Sequence, residues 1–497
     1  MVREYYEEIC AGRDVRANLI ALRDCLKDDR DRRAFAYLLG GEFDVLVRLL
    51  KDNDPKVRKN AALILGKMES EDLLPVLFDA YQTEETRFVR ADYLKAMAQM
   101  DYRPYLDELE LRLEELRAAE TTDEDAKHVA GERRMLQEMV LRYKKSRRHR
   151  FTGQNIPCDM ILVTNRCQRE ATASQIEGHR ITMLAGGIRV RGITAGEVCG
   201  IRTWSEMLFP IGERTLSVQK PQEVGAALAQ EVLELAKRLH SGSTPFLFRI
   251  ELRGRMAPEK KGGYIRKVSD ALEQAAGGSL VNSVTDYEME LRLLERRDGT
   301  FAAMLKFYTI PEKRFSYRQE SVAASIAPVN AALAAKLAQP YLKERAQVLD
   351  PFCGVGTMLI ERHRAVRAGA MYGIDIFGEA IQKAHVNTAL AGCRVYYINK
   401  DFFEFEHEYL FDEIFTDLPQ VTAAKGTEEI ACLYERFFEK ASQLLKKEAV
   451  MVLYATQPEL VRREVKKYAD CRIEKSFLLN EKNGTTLFVI CLSLIHI

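Results

Sequence analysis

The stretch Val348-Leu349-Asp350-Pro351-Phe352-Cys353-Gly354-Val355-Gly356-Thr357 constrains this chain more than any other. It reads as a buried strand ending in an acid, a tight glycine turn and the start of a helix. α/β folds hold nucleotide-like ligands with such a unit. Gly354 and Gly356 have no Cβ, so the backbone there can take positive φ and approach a ligand closely. No Lys-Ser/Thr pair follows the glycines, which excludes a phosphate-gripping P-loop. Leu359 stands where the dinucleotide fingerprint has its third glycine. An acid at the end of the first strand repels a pyrophosphate. It suits a ligand with a cationic, amino-acid-like end, which points to S-adenosylmethionine (SAM).

From Gln347 onward strands and helices alternate. Strands fit at Gln347–Asp350, Met371–Asp375, Val395–Ile398, Glu413–Thr416, Ala449–Tyr454, Arg472–Leu478 and Thr486–Leu492, with helices between the first six. Asn480-Glu481-Lys482-Asn483-Gly484 reads as a hairpin-like turn between the last two. Such alternation implies a Rossmann-like, doubly wound α/β sheet of seven strands with ligands at the strand C-termini.

Candidate cofactor residues follow from that layout. Asp350, Phe352, Gly354, Gly356 and Thr357 belong to the first turn, and Thr357 opens a helix whose positive dipole end faces the ligand. Asp375 closes the second strand, followed by Ile376. An acid there either accepts two ribose hydroxyls or caps the next helix. Asp401, after the third strand, meets an adenine amine and Phe402 packs on the adenine face, or the two form a simple loop. Cys353 has no histidine nearby in sequence to make it a nucleophile.

The fourth strand ends in Thr416-Asp417-Leu418-Pro419-Gln420. An acid, any residue and proline at this place suit methylation of an exocyclic amine. A carboxylate and a backbone carbonyl accept the two amine hydrogens and free the lone pair, while proline stiffens the turn. Asp417, Leu418 and Pro419 are therefore the candidate catalytic residues. The turn resembles that of amino-methyltransferases, where Asp or Asn, any residue and proline are followed by an aromatic that stacks the base. Gln420 departs from that pattern, so either another aromatic stacks, or the acceptor is not an extruded base, or activity is lost.

The 497 residues suffice for about three domains of ~150 residues. A net charge of +1 gives no global field for nucleic acid, so any such partner must meet local patches. Ten cysteines without a CxxC pair argue against zinc and disulfides and suit a reducing cytosol. No apolar run is long enough for a membrane span, and the first residues lack a signal-peptide core. The expectation is a cytoplasmic protein without a metal site.

The first part of the chain reads as helical repeats. Asp54-Pro55-Lys56-Val57-Arg58 opens a helix through Ala61, Ala62 and Leu65, and about 32 residues later Phe88-Val89-Arg90 opens a similar one. Apolar helices, Phe43 to Leu50 and Leu73 to Tyr81, precede each. Helix pairs at such a period signal an α-solenoid. Residues 118–157 read as a charged linker and helix ending in the basic run Lys144 to Arg150, either a solvated face or a phosphate-contacting patch. From Cys158 the chain turns α+β. Strands fit at Asp159–Thr164, Phe246–Leu252, Tyr287–Leu293 and Phe301–Tyr308, helices at Val224–Leu239 and Tyr264–Ala275, and Asp298-Gly299 marks a hairpin.

Three family resemblances attach to these residues. The Asp-Pro-x-Val-Arg string resembles HEAT repeats, over residues 1–117. The segment leading through Asn282-Ser283-Val284-Thr285-Asp286-Tyr287-Glu288 resembles a divergent THUMP domain, over 158–318. Residues 319–497 resemble a class I SAM-dependent methyltransferase domain. The join between the last two, Lys313-Arg314-Phe315-Ser316-Tyr317-Arg318 followed by the Pro328-initiated helix, resembles that of THUMP-containing RNA guanine-N2 methyltransferases. The resemblance implies SAM as cofactor, tRNA or rRNA as partner, and Asp417 to Pro419 at the target amine. Lys313, Arg314, Tyr317 and Arg318 then touch RNA, or else form a solvated linker. The HEAT-like part implies a protein partner or an RNA platform. A protein or small-molecule methyltransferase, and a non-catalytic scaffold, are the alternatives.

Overall fold

The computed structural model describes residues 1–118, 126–143, 149–323, 325–421 and 426–492. Lys144 to Arg148, most of the basic run singled out above, lies outside the described residues. The chain forms two compact units, Met1–Arg148 and His149–Ile497.

The first unit is helical. Asp44–Leu49 pairs with Pro55–Gly66, and Leu74–Thr83 with Arg87–Met97, as the repeat spacing predicts. Asp54 starts the second helix by accepting a hydrogen bond from Lys56 N at 2.8 Å, with Pro55 in the first turn. Val57 and Ala61 of one repeat, and Val89 and Tyr93 of the next, are buried between the helices. A Cβ on Gly66 would lie 2.5 Å from Ala96 Cα, so the two repeats touch there backbone to backbone. Arg58 ties them with two bonds to Glu84, at 2.9 and 2.7 Å.

The expected charged linker is in part a core element. Ala126–Tyr143 is a helix whose Val129, Leu136 and Met139 are buried. Glu132 on it accepts from Tyr81 Oη at 2.8 Å. Its apolar positions alternate with Arg and Glu, which hides the buried face in the sequence.

The second unit carries two large sheets and a two-stranded ribbon of Arg150–Phe151 with His240–Ser241. The first has eight strands: β1 (Cys158–Thr164), β2 (Ile181–Leu184), β3 (Gly187–Ile193), β4 (Trp204–Ser217), β5 (Phe246–Arg253), β6 (Leu280–Asn282), β7 (Met289–Glu295) and β8 (Thr300–Phe307). Their order is β2-β3-β1-β4-β8-β7-β5-β6. The helices Pro221–Leu239 and Pro258–Ala275 share one apolar core with it, through Val224, Leu228, Val268 and Leu272. The predicted strands and helices of this region are all present. The β2–β3 hairpin and the long β4 are additions, and β4 is masked in the sequence by Pro210 and Gly212, the latter at φ +67°.

The second sheet has seven strands: β9 (Gln347–Asp350), β10 (Ala370–Asp375), β11 (Tyr396–Asn399), β12 (Phe411–Asp417), β13 (Leu445–Ala455), β14 (Cys471–Leu478) and β15 (Thr486–Leu492). The order is β11-β10-β9-β12-β13-β15-β14, parallel except for β15, which runs antiparallel to both neighbours. Helices Thr357–Ala365, Gly378–Ala391, Thr427–Leu444 and Pro458–Val465 connect the strands. One expected helix is missing: β11 and β12 are joined by a single 3-10 turn, Phe402–Glu404. The Pro328-initiated helix before β9, Pro328–Ala338, has no single apolar face. Ala331, Leu333, Ala334 and Ala335 are all buried, so it is enclosed rather than laid on a surface.

Candidate active site

The order of the second sheet reverses between β9 and β12, and ligands of open α/β sheets bind at the strand C-termini beside such a switch point. Four acids gather near that edge: Asp350, Asp375, Asp401 and Asp417.

The glycine turn is held from behind. Gly354 has φ +51° and Gly356 φ +80°. A Cβ on Gly356 would sit 2.1 Å from Tyr397 Oη, whereas one on Gly354 would meet nothing within 4 Å. The turn is therefore packed against Tyr397 on one side and open at Gly354 on the other. Asp375 braces it: one carboxylate oxygen accepts from Gly354 N at 2.8 Å, the other from Phe377 N at 2.9 Å. Asn387, wholly buried, donates to Val355 O at 3.2 Å and to Glu320 O at 3.0 Å. It also accepts from Gln319 N and Glu320 N, so the segment after Arg318 is knotted onto the turn.

Asp350 is completely buried. Its Oδ1 accepts from Thr416 Oγ1 at 2.6 Å and from Phe352 N at 3.2 Å. Its Oδ2 has no partner among the described residues, and neither has the buried Oγ1 of Thr357. Burial, with smaller contributions from the charges of Asp417 and Asp375, pushes the Asp350 carboxyl up to about 8. A buried acid with one orphaned oxygen beside an open glycine is what a cationic ligand end satisfies.

The other predicted residues divide. Ile376 is 62% exposed beside Asp375 and Phe352 is half-buried. Phe402 is buried, edge-on to Phe352 at 5.8 Å and tilted against Phe437 at 6.0 Å, so its ring is committed to the core. Asp401 caps the 3-10 turn by accepting from Phe403 N at 3.0 Å, the loop role weighed above.

Asp417 ends β12 half-buried, and desolvation raises its carboxyl to about 7. Leu418 N donates to Tyr454 O at 2.9 Å, and Tyr434 Oη donates to Pro419 O at 3.2 Å. One neighbouring strand and one helix thus fix the turn. Gln420 is exposed. Motif reading missed Tyr397, Asn387, Tyr434 and Tyr454. Of these only Tyr454, one residue before the C-terminal end of its strand, carried a positional signal.

The segment expected to touch RNA is mostly internal. The Arg314 guanidinium lies 3.1 Å from the Trp204 ring centroid and donates to Trp204 O at 2.8 Å and Ile201 O at 3.0 Å. Tyr317 is buried and donates to Glu361 at 2.7 Å. Arg318 is half-buried and donates to Glu320 O. Only Lys313 is fully exposed. For Arg314 and Tyr317 the expectation gives way to a structural role, because neither side chain is open to a partner.

Cations do line a separate cavity of about 1250 Å³ on the first sheet. Met160 and Leu162 of β1 enter the core, while the alternate residues Ile161 and Val163 face this cavity. Six arginines line it: 166, 189, 238, 253, 292 and 296. Arg292 pairs with Glu206 and Glu290, Arg189 with Asp159, and Arg253 with Glu251. Arg166, Arg238 and Arg296 have no ion-pair partner among the described residues, and Arg238 donates to Cys158 Sγ at 3.2 Å.

Residues 318–480 match the model of the RMKL-like methyltransferase domain family, and residues 42–98 match HEAT repeats. No curated protein matches the sequence. Among solved structures, TrmN from Thermus thermophilus is similar at TM-score 0.52 and 18% identity, covering 68% of this chain and 99% of that one. SMU.472, a methyltransferase candidate complexed with SAH, gives 0.53 and 13%, covering 68% and 99%. A Listeria monocytogenes protein assigned as an N6-adenine-specific DNA methylase gives 0.51 and 13%, covering 67% and 95%. The fold likeness thus covers more of the chain than the methyltransferase sheet occupies.

The C-terminal region is a class I methyltransferase domain. Its cofactor is SAM, and the open glycine, the orphaned Asp350 oxygen and the strand-end acids fit that molecule.

Proposed function

We propose that the protein is a SAM-dependent RNA methyltransferase acting on an exocyclic amine, guanine N2 of tRNA or rRNA. The observation that carries this reading is the rigid Asp417-Leu418-Pro419 turn beside the cofactor turn, with a desolvated carboxylate at its head. Asp350 would hold the cationic amino-acid end, with Thr357 and the glycine backbone around it. Asp375 would take the ribose, sharing oxygens that already brace the turn, and Ile376 would cover the adenine beside Asp401. Bound SAM supplies an electrophilic methyl group on a sulfonium.

Asp417 and the Leu418 carbonyl would accept the two amine hydrogens and turn the nitrogen lone pair toward that methyl. Pro419 limits the turn's motion, so alignment is built in before the acceptor arrives. Ionised Asp417 is the stronger acceptor, because the neutral carboxyl carries a proton of its own that competes with the amine hydrogens. Its raised carboxyl therefore makes the rate climb as pH rises through about 7.

RNA as the acceptor is supported by the arginine-lined cavity on the first sheet, whose sequence order resembles a THUMP domain. TrmN and the Listeria methylase share the fold over 68% and 67% of the chain. The test is transfer of tritiated methyl from SAM to bulk RNA, DNA and protein by the full chain, followed by mass spectrometry of the nucleosides. Label in RNA as N2-methylguanosine, lost in Asp417→Ala, is expected. Label confined to protein would overturn the reading.

A further inference from the structure

We infer that Tyr454 supplies the aromatic platform for the acceptor base that residue 420 does not provide. The inference rests on the amine-transfer reading above and gives it a substrate contact. Gln420 follows Pro419 as an exposed amide without a π-face. Tyr454 is the parallel register partner of Asp417, and its carbonyl receives Leu418 N at 2.9 Å. Register partners on adjacent parallel strands lie about 4.8 Å apart and point their side chains to the same face of the sheet. Tyr454 therefore rises beside the carboxylate that would hold the amine.

The row it ends supports this. Val450 and Val452 precede it on the same face and are buried with Phe415, Leu487 and Val489. Tyr454 emerges from that row half-buried, near the ligand edge of the sheet. Its hydroxyl has no hydrogen bond among the described residues, so the ring is held by packing against that row and not by a polar tether. Asp417 reaches it electrically: after burial, the Asp417 charge is what raises the Tyr454 phenol, to about 12.

The other nearby aromatics are committed elsewhere. Tyr434 also feels Asp417, but it is wholly buried and its hydroxyl braces Pro419. Tyr397 backs Gly356 and bonds Thr388 at 2.7 Å. Phe402 is enclosed by Phe352, Phe403 and Phe437.

Stacking on an aromatic depends on the ring and not on the hydroxyl, and its loss is worth about 10- to 100-fold in affinity for the base. Steady-state methylation of bulk RNA by the full-length protein, with calorimetric SAM binding, tests this in Tyr454→Phe, Tyr454→Leu and Tyr454→Ala. Tyr454→Phe should stay within about threefold of wild type. Tyr454→Leu keeps the bulk without the ring, so it should lose about 10- to 100-fold in kcat/KM for RNA, as should Tyr454→Ala, all with unchanged SAM affinity. The proposal falls if Tyr454→Leu stays within threefold, if Tyr454→Phe is as damaged as Tyr454→Leu, or if SAM binding falls in parallel with activity. A wild-type protein that binds SAM but transfers nothing to RNA would refute the underlying reading instead, and this platform with it.

Discussion

Arg202 and Glu361 form a two-pronged ion pair, at 2.8 and 2.6 Å, between the stretch just before β4 and the helix that follows the glycine turn. Glu361 is 1% exposed and also receives Tyr317 Oη. The Arg202 guanidinium lies 4.5 Å from the Phe315 ring centroid. One buried carboxylate thus joins three stretches of chain. Arg202→Ala leaves it with a single neutral donor, and breaking such a pair costs about 3–5 kcal/mol. Thermal unfolding should show a drop of about 5 °C, larger than for Arg202→Ala paired with Glu361→Gln, which removes the charge as well.

Gly356 and Tyr397 leave no space between them. Gly356→Ala adds a strained positive φ and a clash with Tyr397 Oη, so SAM affinity should fall more than about 10-fold. In Gly356→Ala with Tyr397→Phe the nearest atom becomes the ring Cζ, 3.2 Å away, and part of the affinity should return. Calorimetry on both proteins checks the direction.

Asp350 and Asp417 are raised to about 8 and about 7 in the folded protein. A raised carboxyl stabilises the fold in its protonated form. That contribution is complete below the unfolded value near 4 and is lost as pH climbs through 7 and 8. The melting temperature without SAM should therefore decline from pH 6 to 9, and Asp350→Asn should flatten the decline. SAM affinity should move oppositely, strengthening from pH 6 to 8 as Asp350 ionises to meet the ligand's cation.

Arg166 and Arg296 line the cavity with neither an ion pair nor a side-chain hydrogen bond among the described residues, whereas Arg238, also without an ion pair, is held by Cys158 Sγ. If RNA phosphate lies there, Arg166→Glu with Arg296→Glu should weaken RNA binding. It should also make the slope of log affinity against log salt shallower by about 1–2. Fluorescence anisotropy between 50 and 200 mM salt reads both, and SAM binding should not change.

The sequence made the methyltransferase sheet legible because its strands are short apolar runs bounded by turn residues. Gln347–Asp350, Thr486–Leu492 and the positive φ at Gly354 and Gly356 lie where spacing puts them. Arg314 and Tyr317 misled for a physical reason. An Arg/Tyr-rich segment has the same composition whether it faces RNA or a tryptophan, and Trp204 is 110 residues away in sequence. Phe402 misled likewise, since the rings that enclose it come from Phe352 and Phe437. Tyr454 carried no motif at all. It matters only once strand order sets it against Asp417.

Asp375 has a consequence for how the cofactor enters. Its two oxygens already grip Gly354 N and Phe377 N, so the glycine turn is shaped before any ligand arrives. Entry then does not have to freeze a loose loop, and the entropic penalty of ordering falls on the small molecule alone. Asp375→Asn keeps one acceptor oxygen and so forfeits one grip. The loop would gain freedom and the ribose would lose its anchor together, which makes fast, reversible exchange of used for fresh cofactor a property of a single side chain.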